Sequence, residues 1–393
     1  MAGSVILDGA RTPIGKFMGS LSKFTAMDLG GFAIQGALSK SGVRAEDIDY
    51  VIMGQVLQAG QGQITARQAA SKAGISMEVP ALTVNKVCLS GINAIYLADQ
   101  MIQTGEADLV VAGGMESMTQ APYLMPGARS GLRMGDGKVI DSMIYDGLWC
   151  AFDHCHMGEG SDRNNARLGI TREEQDLWAT MSHERAAAAT KAGKLGEEIV
   201  PVEVPQRKGD PIAVDSDEGI RPETTPESLA KLPPAFDKEG TITAGNASQI
   251  SDGACAVIVA SKEKAESLGV TPLAEIVSYG MVAGPDATLH SQPSRAILKA
   301  LDKAGLGVTE IDLYEINEAF AAVAIQSAKE LGIPNDIVNV NGGAVALGHP
   351  IGASGARLTL TLAMELKRRQ AKLGAVGICG GGGQGDAIVL RSL

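Results

Sequence analysis

"AIQGALSKSGVRAEDIDYVIMG", Ala33–Gly54, lies without gaps on "AILKALDKAGLGVTEIDLYEIN", Ala296–Asn317. Eight of the 22 pairs are identical, among them Gly42/Gly305 and Asp49/Asp312, at an offset of 263. Further on, "CLSGINAIYLADQ" and "GASGARLTLTLAM" share Ser90-Gly91 and Ser354-Gly355, at an offset of 264. Two unrelated helix–turn–strand units can look alike. Two matches in the same order at almost one offset instead indicate an internal duplication, so the chain is expected to hold two halves with one fold.

Each half reads as helices alternating with strands. "AIQGALSKSG" is an amphipathic helix closed by Gly42. "INAIYLADQMIQTG" is a second helix, ending at Gly105. "SVILDG", "IDYVIMG" and "IDLYEIN" read as strands, and "ADLVVAGG" and "GAVGICGGG" are continuous apolar runs of the doubly buried kind. Such alternation predicts an α/β fold with a mostly parallel sheet and helices on both faces. The text between the halves is different. From about Thr119 to Gly245 it is rich in Met, Gly, Pro and charge, and only "TREEQDLWATMSHERAAAATKAG" is plainly helical, with Thr171 as N-cap and Glu174 at the capping-box position. The expected division is an N-terminal half over 1–118, completed by about 246–270, an inserted segment over 119–245, and a C-terminal half over 271–393. An insertion of this length usually carries function, as a lid or a ligand-binding subdomain.

The 393 residues are 45% hydrophobic, enough for a large core, while 4% are aromatic and 49 are glycine, which suits close packing of helices on sheets. The formal charge of −11, with no basic run, argues against a nucleic-acid or membrane-surface role. No apolar run is long enough for a membrane span and no signal or transit peptide is visible. The five cysteines, Cys88, Cys150, Cys155, Cys255 and Cys379, are odd in number and scattered, which points to a reduced, cytoplasmic setting.

Cys88, in "TVNKVCLSGINAIYLADQ", is expected at a strand-to-helix turn, with the helix beginning near Ser90. There it faces the positive end of the helix dipole, which favours a thiolate and suits a nucleophile. A buried core cysteine is the alternative. His349 lies in a Gly/Pro-rich loop just before a helix starting near Ser354. By the repeat, this loop occupies the place of the Cys88 loop, so packing about a pseudo-twofold axis brings Cys88 and His349 together. "CGGGGQGD", Cys379–Asp386, lacks the Lys and Ser/Thr of a phosphate loop. It reads better as a strand end that bares Cys379, with the Gly381 N–H free to stabilise an oxyanion. Cys88, His349 and Cys379 together suggest acyl transfer with proton abstraction beside a carbonyl.

With these residues in view, the chain resembles a thiolase, in its biosynthetic acetyl-CoA acetyltransferase branch. The likeness runs from end to end and includes "VNKVCLSG", "VAGGMESM", "TITAGNASQISDGA", "NEAFAA", "NVNGGAVALGHPIGASGAR" and "CGGGGQG". It implies a thiolase-like duplicated fold: two similar αβ halves packed as a five-layer αβαβα core, with an inserted loop domain. It also implies a ping-pong reaction. Cys88 takes the acyl group, His349 the thiol proton, and Cys379 deprotonates the methyl group of a second acetyl-CoA. His349, with a water held by Asn317, matches one oxyanion hole of the family, and the N–H groups of Cys88 and Gly381 match the other. Asn317 and Glu318 also read as an N-cap pair opening the following helix.

The resemblance further implies that acetyl-CoA, acetoacetyl-CoA and CoA are substrates and products, with no cofactor. Arg221, Ser228, Ala244, Ser248, His156 and Met157 match CoA-contacting positions; Leu148, Ala319 and Phe320 match the pantetheine channel. A homotetramer or homodimer is implied, with "PGARSGLRMGDGKVIDSM" as a protruding contact segment. Cys150, His154, Cys155 and His156 could suggest zinc, but His156 already has a thiolase role and no second pair of ligands follows. His183 and His290 read as structural or solvated, with His290 near the acyl pocket. A degradative 3-oxoacyl-CoA thiolase is the alternative within the same chemistry. A non-catalytic or thiol-redox protein on the same scaffold is the alternative from another class.

Overall fold

The computed structural model describes residues 3–393. Nine strands form the main sheet: β1 (Ser4–Arg11), β2 (Tyr50–Gly54), β3 (Ala81–Val84), β4 (Leu109–Ser117), β5 (Ser251–Ser261), β6 (Ala274–Ala283), β7 (Leu313–Ile316), β8 (Leu373–Gly380) and β9 (Gln384–Ser392). The longer helices are α1 (Ala26–Ser41), α2 (Thr65–Lys72), α3 (Ser90–Gln103), α4 (Met157–Leu168), α5 (Arg172–Lys191), α6 (Gln292–Ala304), α7 (Ala321–Leu331) and α8 (Ser354–Arg369). The strand order is β7-β8-β9-β6-β1-β5-β4-β2-β3, with a short piece at Gly15–Lys16 added to β5.

The order is the duplication made visible. One half is β3-β2-β4-β5-β1 and the other is β7-β8-β9-β6. A parallel bridge between Val338 and Tyr314 stands where β3 lies in the first half. The halves join where Val5 and Ile6 of β1 pair with Glu275 and Ala274 of β6. Residues shared by the two repeats do the same work in each. Gly42 and Gly305 close α1 and α6 at φ 69 and 67. Asp49 Oδ2 accepts the N–H groups of Asp108 and Leu109, and Asp312 Oδ2 those of Lys372 and Leu373.

Side-chain alternation along the strands sorts the core into layers. Ile52, Val110, Val257, Val376 and Ile388 face inward, into one cluster with Ile92 and Ile95 of α3 and Leu358 and Leu362 of α8. Val51, Val111 and Ile258 face outward onto α1 and α2. Ala375 and Val389 face outward onto α6 and α7. Helix, sheet, helix, sheet, helix is therefore the five-layer arrangement expected.

The mostly parallel sheet is a misreading. Only β2–β3, β2–β4 and β7–β8 are parallel among the main strands, and the rest are antiparallel. Continuous apolar runs signal burial on both faces but carry no direction. In each half the last strand runs antiparallel to its neighbours, β9 after a tight glycine turn and β5 after the long inserted segment. The segment between β4 and β5 contributes α4, α5 and three two-stranded sheets outside the main one. Thr171 and Glu174 close the capping box of α5 as read from sequence. Among the described residues no helix is long and apolar enough to cross a membrane.

Candidate active site

Helices α3 and α8 cross at their N-termini, where the repeated Ser-Gly pairs meet. A Cβ added to Gly91 would stand 2.8 Å from the Ala356 N, and one on Gly355 would stand 2.8 Å from the Ile92 Cβ. Glycine at both positions lets the two helix starts touch, so the loops before them share one space.

The first loop, residues 85–89, carries Val87 at φ 51, a left-handed conformation that is costly for a β-branched residue. Short hydrogen bonds hold it. Asn85 Oδ1 accepts the Val87 N–H at 3.0 Å. Ser90 Oγ accepts the Lys86 N–H at 2.9 Å and donates to the Val87 carbonyl at 2.6 Å. Cys88 follows, buried. In the second loop, the His349 Nδ1 lies 2.6 Å from Ser354 Oγ, which donates to the Pro350 carbonyl at 3.0 Å. With the single hydroxyl proton donated to the Pro350 carbonyl, Nδ1 carries the hydrogen and Nε2, 3.4 Å from Asn317 Nδ2, is left bare. Asn317 itself is fully buried after β7, and its Oδ1 has no partner among the described residues.

Cys379 lies near the end of β8, and the glycines after it form the turn into β9. Gly382 and Gly383 adopt φ 78 and 68, and a Cβ on Gly383 would run into the Asp286 carbonyl. No helix follows this turn, so it has no helix N-terminus for a phosphate. It frees the Gly381 N–H, which together with the Cys88 N–H favours a charged Cys88 sulfur.

Cys88, His349 and Cys379 line one inner chamber of about 410 Å³, walled by Leu148, Met157, Leu289, Phe320 and Ile351. The chamber opens into a cleft of about 1160 Å³ that takes in His156, Arg221, Ala244, Ser248 and Ala319. Ser228 lines neither; its Oγ is used in capping, accepting the Thr225 N–H at 3.0 Å. The inserted segment thus shapes one wall, and β5's approach (residues 243–250) another. Sequence reasoning missed Lys16, Met118, Ile144, Phe236 and Gln249, which also line the cleft. Phe236 stacks on His156 at 4.6 Å, and the only sequence signal was an aromatic in a Pro-rich linker. Lys16 is far from Arg221 in sequence, yet it joins it at the cleft.

The electrostatics differ from expectation. Burial pushes the Cys88 thiol up to about 12, and nearby Glu116 adds to this, against the two N–H groups that favour the thiolate. Burial also raises Cys379, reinforced by Cys88. Burial, then Arg357, lowers His349 to about 3. The helix terminus therefore does not yield a standing thiolate, because desolvation in an apolar chamber outweighs it. Burial therefore favours the neutral form of all three groups.

Other readings also change. Asn317 and Glu318 do not cap α7, whose N-cap is Phe320 with no side-chain cap bond. Glu318 is instead a buried hub that accepts from Trp178 Nε1, Ser182 Oγ, Asn339 Nδ2 and the Val345 N–H at 2.8–3.0 Å. His290 is not solvated. It is fully buried, with Nε2 at 2.8 Å from Asn165 Oδ1, and its neighbour Leu289 rather than its ring reaches the chamber. His183 Nδ1 accepts the Arg221 N–H at 3.1 Å. Cys150 and Cys155 face each other across a short hairpin, while the His156 Nδ1 accepts the Gly158 N–H. Among the described residues no three His, Cys, Asp or Glu side chains are grouped to hold a metal ion.

A duplicated αβαβα core with two cysteines and a histidine at its centre defines a class, and the chain belongs to the thiolase family. Family models of the thiolase N-terminal and C-terminal domains match residues 4–263 and 270–392. Within that family the chain is 58% identical over 392 residues to a probable acetyl-CoA acetyltransferase of Mycobacterium tuberculosis, covering 100% of both chains. It is 52% identical to an acetyl-CoA acetyltransferase of Pseudomonas aeruginosa, covering 98% of each. The crystal structure of the Bacillus anthracis acetyl-CoA acetyltransferase superposes with a TM-score of 0.97 at 40% identity, covering 100% of this chain and 99% of that one.

Proposed function

We propose that this chain is an acyltransferase that condenses two acetyl-CoA molecules to acetoacetyl-CoA and CoA, and catalyses the reverse thiolysis, through an acetyl-Cys88 intermediate. The reading is carried by one observation: two sulfurs and an imidazole with a bare nitrogen line a single small apolar chamber. In the first half-reaction the His349 Nε2 takes the Cys88 thiol proton as sulfur attacks the thioester carbonyl. The proton then passes to the departing CoA sulfur. A neutral His349 and a neutral Cys88 suit this transfer during attack, since neither begins as an ion.

In the second half-reaction a second acetyl-CoA enters. The His349 Nε2 takes the Cys379 thiol proton, the Cys379 thiolate takes a proton from the methyl carbon of that acetyl-CoA, and the carbanion attacks the acetyl carbonyl on Cys88. The C–C bond forms, the C–S bond breaks, the proton on His349 passes to the Cys88 sulfur, and the methyl proton stays on Cys379. In this reading the N–H groups of Cys88 and Gly381, which favour charge at the Cys88 sulfur, also hold the oxygen of the acetyl group as it gains charge. The unpartnered Asn317 Oδ1 suits a water beside the His349 Nε2, to hold the enolate oxygen. CoA would lie along the outer cleft, its anionic end towards Lys16 and Arg221. In this reading residues 1–118 with 246–270, 119–245 and 271–393 form the two halves and the CoA-binding insert. The exposed stretch around Met134 is the oligomer contact of a homotetramer, and five free thiols suit the cytoplasm.

The test is kcat/KM for thiolysis across a chain-length series, with mass spectrometry after mixing with acetoacetyl-CoA. Acetoacetyl-CoA is expected to be preferred, with one acetyl group on Cys88 and none in Cys88→Ala. A large advantage for a long-chain 3-oxoacyl-CoA refutes the acetyl-specific reading, and an adduct elsewhere refutes the role of Cys88.

A further inference from the structure

Two residues before Cys88, the Lys86 ammonium binds a carboxylate from the other half of the duplication. Lys86 Nζ lies 2.8 and 2.9 Å from the two oxygens of Asp386, a residue 300 positions away. The Asp386 side chain is fully buried, and that of Lys86 is 22% exposed. Asp386 also accepts the Tyr279 hydroxyl at 2.7 Å. Tyr279 is in turn stacked on Tyr96 of α3, with ring centroids 4.4 Å apart. None of these residues lines the chamber or the cleft.

The place of this pair is more informative than its strength. A buried ion pair is weak grounds for stability, since apolar replacements of similar volume often serve as well. Lys86, however, is bonded to the strained Val87, and Cys88 comes next. Asp386 is paired in β-register with Ile378, the residue before Cys379, and lies three residues after Gly383, the last glycine of the turn that leaves β8. One ion pair therefore ties the backbone that carries Cys88 to the hairpin that carries Cys379 and the Gly381 N–H. A left-handed valine persists only where its surroundings over-determine it. The loop's own hydrogen bonds fix its shape, but only Lys86 anchors that loop to β9 through a charge.

We infer that Lys86 and Asp386 are positioning residues that set the separation of Cys88 from Cys379 and Gly381. The inference rests on the proposed roles of those two cysteines. Lys86 does not act by electrostatic activation of the thiol, because its charge is matched in a bidentate pair with Asp386. Loss of the pair lets the Cys88 loop drift from the C-terminal hairpin while the CoA cleft, lined by other residues, is unaffected.

The test compares Lys86→Met, Lys86→Arg and Tyr279→Phe with the unsubstituted full-length protein. A misplacement of about 1 Å costs roughly 10²-fold, so Lys86→Met is expected to lower kcat for acetoacetyl-CoA thiolysis by about 10–10². KM for acetoacetyl-CoA stays within about threefold, and the pH profile of Cys88 alkylation is unmoved, because neither CoA contacts nor charge near the sulfur change. Lys86→Arg restores most of kcat, and Tyr279→Phe, which removes one bond to Asp386, gives a smaller loss. The inference is overturned by an unchanged kcat in Lys86→Met, by an alkylation profile displaced to higher pH, or by an arginine no better than methionine. If Lys86→Met does not fold, Tyr279→Phe decides: unchanged kcat there overturns it. If the unsubstituted protein does not turn over acetoacetyl-CoA, the catalytic reading fails by itself. The clamp is then judged with phenylarsine oxide, which bridges two thiols with loss of water. Bridging mapped to Cys88 and Cys379 is expected to be rapid in the unsubstituted protein and slowed in Lys86→Met, and equal rates overturn the clamp.

Discussion

Substituting alanine for Gly91 tests the crossing that brings the two halves' loops together. The added methyl would stand 2.8 Å from the Ala356 N and 3.0 Å from the Gly352 O, both backbone atoms that cannot rotate aside. Ordinary contact begins at 3.4 Å, so α3 and α8 must part by about 3.4 − 2.8 = 0.6 Å. Gly91 does not adopt a left-handed φ and is the second residue of α3, where alanine is favoured over glycine by up to about 1 kcal/mol, the helix-interior value. The sign is therefore diagnostic. Without a tight crossing Gly91→Ala stabilises the protein. With it, overpacking costs about 1–3 kcal/mol and the melting temperature falls. Cys88 and His349 ride on the two helix starts. If 1 Å of misplacement costs about 10²-fold, 0.6 Å costs on the order of tenfold in kcat. Gly355→Ala meets the Ile92 N more closely still and is expected to be worse on both counts. Thermal unfolding and acetoacetyl-CoA thiolysis measure the two effects. A rise in melting temperature for either variant, or a milder Gly355→Ala, would refute the crossing as the device that assembles the site.

Cys379→Ala is expected to accept an acetyl group on Cys88 but to lose at least about 10²-fold in condensation, as for removal of a general base, and normal turnover would remove it from that role. With the Cys88 thiol pushed up to about 12, its alkylation by iodoacetamide should rise nearly tenfold per pH unit from about pH 7 to 9. A rate already at its plateau below pH 7 would mean a preformed thiolate–imidazolium pair. Burial lowers His290 to about 4, from about 6.5 in the unfolded chain. Its contribution is present above pH 6.5 and is lost as pH falls towards 4, because the unfolded chain then binds the extra proton. At 1.36 kcal/mol per unit, the stability gap between parent and His290→Asn should narrow by roughly 3 kcal/mol over that range in denaturant titrations. A gap that does not change with pH would contradict the burial of a neutral imidazole.

Much of the site was legible because it rests on repeated local devices. Gly42 and Gly305, Asp49 and Asp312, and the two Ser-Gly pairs serve the same backbone needs in both halves, so they survive as identities at one offset. The same match pointed to a meeting of Cys88 and His349. Other readings failed where a distant partner decided the outcome. Glu318 looked like a cap because its neighbours in sequence begin a helix, yet its partners are Trp178, Ser182 and Asn339. Phe236 and Met118 reach the cleft from separate segments, and nothing local marks either as a wall.

The amino-acid sequence alone determined the duplication, the α5 capping box and the glycines that close α1 and α6, the buried strands, and the residue types that meet at the centre, because periodicity, capping and turn chemistry act over a few neighbouring positions. Only the tertiary structure decided the direction of β5 and β9, the protonation of Cys88, Cys379 and His349, and the Lys86–Asp386 tie. Strand direction depends on how the chain returns after long excursions, ionisation on which apolar side chains exclude water, and the tie on two residues brought together across the whole length of the fold.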